Sequence, residues 1–129
     1  MGVAVLTLST VRKDLAEVLT AAGIKTHART PEVFNPPAAV IENVEDYMDY
    51  GTINNHMTVR YDVIYMVNSS PKWVEEVEAM IPKALMALMN AGWQIDRVTL
   101  EQFVVTATSH VYEGVRLRVS GEIPIGDIT

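Results

Sequence analysis

The stretch Met57–Asn68, MTVRYDVIYMVN, decides the fold class. Met57, Val59, Tyr61, Val63, Tyr65 and Val67 alternate with Thr58, Arg60 and Asp62, which is the two-residue period of a strand with one apolar face. From Ile64 and Met66 onward the second face is apolar too, so this end is expected to be covered on both sides. Downstream, Ser70-Pro71 has the form of a helix cap followed by a proline in the first turn, with Glu75, Glu76 and Glu78 suited to the positive end. Val74, Val77, Ile81, Ala84, Leu85 and Leu88 form its core stripe, and Gly92 closes it. Pro82 lies inside that stripe and predicts a kink or a break. Further on, Glu101, Phe103, Val105, Ala107 and Ser109 share one strand face. Val115, Leu117, Val119 and Ile123 alternate with Arg116, Arg118, Ser120 and Glu122, and Glu113-Gly114 is expected to be the turn between the two strands.

Upstream, Ala38–Val44 is a second strand, preceded by the stiff connector Asn35-Pro36-Pro37 and a short strand within Lys25–Arg29. Val11, Leu15, Val18, Leu19 and Ala22 mark one face of a first helix, capped by Ser9 or Thr10 and ended by Gly23. Residues 45–56, EDYMDYGTINNH, are expected to form a protruding loop or a long hairpin tip. The order is helix-β-β-β-helix-β-β.

A chain of 129 residues, 49% apolar and 20% charged, is one ordered domain spanning residues 1–129. The absence of cysteine excludes disulfides, thiolate metal sites and cysteine nucleophiles. Sixteen acids against ten bases give a net charge of −6, which argues against general coating of nucleic acid. No apolar run approaches the ~20 residues that span a bilayer. The first nine residues lack a basic start and a cleavage pattern, so the chain is expected to be cytosolic where it is made. Asn68-Ser69-Ser70 is then a helix start and not a glycan acceptor.

Motifs of chemistry are mostly missing. His27, His56 and His110 stand apart, without metal-ligand spacing, and are expected at the surface or at strand ends. A calcium loop starting at Asp46 has Gly51 in the sixth place but Met48, Tyr50 and Met57 where ligands belong. Phosphate cradles and nucleophile elbows have no counterpart. No catalytic residue, metal or cofactor is assigned. Arg60, Asp62, Arg116 and Arg118 fall on polar strand faces, where exposed cross-strand ion pairs contribute about 0.2–1 kcal/mol each. Seven methionines are many for this length. Met80, Met86 and Met89 lie on the second helix, the last two off its core stripe. They fit either a broad buried face or a contact with a neighbouring subunit. Tyr47, Met48 and Tyr50 in the acidic loop favour the contact. With Arg116 and Arg118 they make up the candidate interface.

The segments AAGIKTH, NPPAAVIEN, MTVRYDVIYMVN, SSPKW and LEQFVVTATSHVYEGVRLRVSGEI, in this order over residues 9 to 124, resemble the tail terminator (tail completion) proteins of long-tailed bacteriophages. The resemblance implies an α+β fold with one mostly antiparallel sheet packed by two helices. It implies a structural virion subunit, made in the host bacterial cytoplasm, that forms a hexameric ring, caps the tail tube, stops its polymerisation and joins tail to head. Partners would be further copies of the chain, the tail tube protein and the head–tail connector protein, with no membrane and no catalysis. Six copies would carry about −36, so DNA would pass through the ring without specific binding. The alternatives are a head-side neck or connector subunit, and a small α+β enzyme or ligand-binding domain using His27, His110 and nearby carboxylates.

Overall fold

A computed structural model describes residues 8–31, 33–50, 56–105 and 110–124. The elements are α1 (Leu8–Ala21), β1 (Thr26–His27), β2 (Ala38–Tyr50), β3 (His56–Val67), α2 (Trp73–Asn90), β4 (Gln94–Val105) and β5 (His110–Pro124). They form one five-stranded sheet in the order β1-β2-β3-β5-β4. Only β1 and β2 run parallel. The fold is α+β, with the element order expected from the sequence.

The two-sided pattern of β3 explains its central place. Val59, Tyr61, Val63 and Val67 join the main core beneath both helices, with Leu15 and Leu19 of α1 and Val77, Ala84 and Leu88 of α2. Ile64 and Met66 point the other way, into a smaller cluster with Phe34, Val40, Phe103 and Tyr112. Both helices end alike, in a reversal that satisfies their last carbonyls. Gly23 (φ 90) and Gly92 (φ 91) take the left-handed conformation. The next residue in each case bonds back: Ile24 N–H donates to the Leu19 carbonyl at 3.0 Å, and Trp93 N–H to the Leu88 carbonyl at 2.9 Å.

Several expectations need correction. Of the two forms expected for residues 45–56, the long hairpin is the one found for 45–50, which continue β2 with Met48, Asp49 and Tyr50 opposite Val59, Thr58 and Met57. A register shift between Asn43 and Met48 breaks the two-residue period there, which hid the strand. The remainder of that expected loop, apart from His56 in β3, lies outside the described residues. Glu113-Gly114 is not a turn either. Gly114 is inside β5, between Met66 of β3 and Glu101 of β4. Its glycine serves close approach, because an added Cβ would sit 2.1 Å from the Tyr65 carbonyl oxygen. Residue 107 and its neighbours 106–109, expected in the preceding strand, lie outside the described residues. β4 begins seven residues before Glu101, and a bulge at Asp96 obscured that start.

Ser70-Pro71 precedes α2 instead of opening it. Ser70 accepts the Trp73 N–H at 3.2 Å, so Ser70–Trp73 is a tight turn and the helix begins at Trp73 without a side-chain cap. Pro82 does not break α2, which runs from Trp73 to Asn90. Pro82 and Glu78 both lie on the exposed side of the helix, away from its buried residues Val77, Met80, Ala84 and Leu88. How far α1 extends before Leu8 lies outside the described residues.

Candidate functional site

The polar face of the sheet, opposite the helices, is built around Asp62. Register places Asp62 directly across from Arg118 and one step from Arg116. Its carboxylate accepts Arg116 Nη1 at 2.5 Å and Arg118 Nε at 3.0 Å. Arg116 Nε also donates to Glu101 Oε2 at 2.8 Å, and its guanidinium lies over the Phe103 ring. Asp62 is only 2% exposed, so this is a buried carboxylate clamped by two cations. The expected cross-strand pairing is present, but the small value of exposed pairs does not apply to the buried Asp62. For Arg116, burial disfavours the charge, but bonds to Glu101 and Asp62 outweigh it and raise the pKa. Bonding to Asp62 raises that of Arg118 as well. Arg60 reaches Asp46 at 3.8 Å, which extends the row to the β2 side.

Beside this cluster runs an open groove of about 440 Å³, lined by Val40, Glu42, Ile64, Met66, Phe103 and Arg116 among others. Its floor is apolar, and the arginine at its rim is already engaged by Asp62 and Glu101. His27 and His110 belong to an aromatic row: His27–Phe34 at 6.4 Å, Phe34–Tyr112 at 5.3 Å and His110–Tyr112 at 5.1 Å. His27 Nε2 is buried and, among the described residues, has no hydrogen-bond partner. Among the described residues no group of three potential ligands is placed to hold a metal ion.

The candidate interface residues separate into two sets. Tyr50 is 87% exposed, Met86 65% and Met89 59%. Tyr47 and Met48 instead pack against the main core. Tyr47 lies edge-on to Tyr61 at 5.4 Å, and their hydroxyls are 3.0 Å apart. The extended β2 lays both over β3.

Sequence reasoning overlooked Arg12, which follows Val11 on the buried side of α1. Arg12 is buried, and its guanidinium donates to the carbonyls of Ala28 (3.1 Å) and Ile41 (3.0 Å) and to Asn43 Oδ1. It also lies over the Tyr61 ring at 5.1 Å. The helix is thereby tied to β2 and to the residue that follows β1 through neutral acceptors. A charged residue beside a core stripe was the one available signal.

Burial, then the bond to Tyr47, holds the Tyr61 phenol above its ordinary range, against a smaller opposing pull from Arg12. Burial and the nearby Glu76 raise Tyr65 likewise. A raised phenol contributes stability that is complete below the unfolded value, about pH 10, and is lost as pH climbs through the folded one. Stability is therefore expected to fall above about pH 10, by up to ~1.4 kcal/mol per pH unit for each tyrosine. Tyr61→Phe should flatten that decline, as followed by urea unfolding at about pH 8 and pH 11. An unchanged alkaline slope in the variant would contradict this assignment.

No helix among the described residues is long and apolar enough to cross a membrane. In comparisons with known proteins, no family model matches the chain, and no curated protein matches it either.

Proposed function

We propose that this chain is a structural assembly subunit: a tail-terminator-type protein that forms a hexameric ring on a phage tail tube, stops its growth and joins it to the head. The observation that carries the assembly part is Tyr50. A large aromatic side chain, 87% exposed among the described residues, stands near the end of the β2–β3 arm. Met86 and Met89 add a second uncovered apolar site on α2. Amphipathic aromatics and adaptable thioethers are the side chains that anchor protein contacts. The phage-specific part rests on the family resemblance described for residues 9 to 124. In this reading the partners are further copies, the tail tube protein and the connector protein, the protein resides in the virion, and no residue is catalytic.

The arm gives a direct test. Tyr50→Ala is expected to change folding stability by less than about 0.5 kcal/mol, since it removes almost no buried surface. It should weaken capping of isolated tail tubes about tenfold or more, as loss of an aromatic anchor does. Thermal unfolding paired with a tube-capping assay measures both. Full capping activity in the variant removes the arm from the interface. On capped tubes the wild-type protein should form a particle of about 86 kDa, six copies of the 14.3 kDa chain. Tubes that keep growing in its presence overturn the terminator reading.

A further inference from the structure

β4 is an end strand of the sheet, and among the described residues no strand pairs with its outer edge. Its twelve residues contain neither proline nor lysine, two of the usual devices that blunt such an edge. Val98 and Leu100 lie on the helix side opposite Leu117 and Val115, yet remain 43% and 46% exposed. On the other face, Arg97 has no ion pair among the described residues. Glu101 offers Oε2 to Arg116, and its Oε1 has no ion pair among the described residues.

We infer that β4 pairs antiparallel with β4 of a second copy of this chain, about a two-fold axis through Thr99. Side chains alternate along a strand, so directly opposed residues share a face only when the axis passes through a residue. An axis at Thr99 sets Arg97 against Glu101 of the second copy and Val98 against its Leu100, each pair occurring twice. An axis at Val98 sets Arg97 against threonine, and one at Leu100 sets it against Phe103. An axis at Glu101 puts two glutamates face to face. Only the Thr99 register matches charge with charge and apolar with apolar on both faces. The bulge at Asp96 ends the matched stretch. This contact goes beyond the ring reading, because a two-fold pairing closes at two copies and leaves the arm and α2 free.

The test uses the chain's lack of cysteine. On the axis, the two Thr99 Cβ atoms face each other at about 4.5–5.5 Å, close to disulfide reach, whereas Val98 faces Leu100. Oxidised Thr99→Cys is expected to run as a covalent dimer, with Val98→Cys cross-linking about tenfold less. Unmodified protein should size at about 29 kDa, twice the chain mass, and Arg97→Glu should weaken that dimer about tenfold by facing glutamate with glutamate. A monomer at about 100 µM overturns the pairing. So does equal cross-linking at positions 98 and 99, or hydrogen-exchange protection of β4 that arises only when tail tubes are added. Chains that cap tubes but fail these tests refute the pairing alone, and β4 dimers that cap nothing refute the ring alone.

Discussion

Gly114→Ala is expected to destabilise the protein by about 4 kcal/mol or more, which is a large share of the 5–15 kcal/mol that typically holds a domain folded. The added methyl carbon would lie 2.1 Å from the Tyr65 carbonyl oxygen and 3.1 Å from Phe103 Cε2. The first of these is backbone, so no rotamer change relieves the clash. Nor is the strand free to slide, because β5 is paired with β3 on one side and β4 on the other. Relief requires displacing β5 from one of them. Urea unfolding of wild type and variant measures the loss, and insolubility of the variant at 25 °C would agree with it. A loss below about 1 kcal/mol would show that the strands part locally at little cost.

Asp62→Ala is expected to cost about 3 kcal/mol, the lower end for breaking a buried ion pair. The lower end applies because the arginine side chains are partly solvated, 29% exposed for Arg116 and 35% for Arg118. Removing the carboxylate leaves two cations at alternate positions on one face of β5, with Glu101 still bonded to Arg116 and Asp46 near Arg118. Asp62→Asn keeps the shape and one acceptor oxygen, so it should retain part of the loss. Chemical unfolding at about 0.1 M and 1 M salt separates packing from charge. If Asp62→Ala costs less than about 1 kcal/mol, solvent reaches this cluster far more than its burial implies.

How much of this was legible in the sequence depended on unbroken periods. β3 carries twelve residues in register with β5 without interruption, and its alternation identifies both faces. The helices were legible by the same means, as were the glycines that end them. Bulges defeated the method. The shift between Asn43 and Met48 made the second half of β2 look like acidic loop, and the one at Asp96 concealed the start of β4. A glycine kept for lack of a Cβ has the same letter as a glycine in a turn, so Gly114 was misplaced. At the candidate interface, the off-stripe positions of Met86 and Met89 followed from helix geometry alone, and both are exposed. Tyr47 was misplaced because the strand that lays it over Tyr61 was itself hidden. The Arg12 contacts depend on tertiary proximity to Ala28, Ile41 and Asn43, which no local pattern encodes.

The central position of β3 also sets an order of events on the ribosome. Its hairpin partner β2 precedes it, but its other neighbour, β5, is made only after α2 and β4. Val67 pairs with Glu113, forty-six positions later, and His56 with Pro124. At about 5–20 residues per second, the most apolar strand waits ~2–9 s of synthesis for the neighbour that covers its open edge. The nascent chain is thus most prone to aggregate in the interval when α2 and β4 are being made. Charge-bearing Arg60 and Asp62 on the first half of β3 leave Val63–Val67 as the segment that chaperones would be drawn to first.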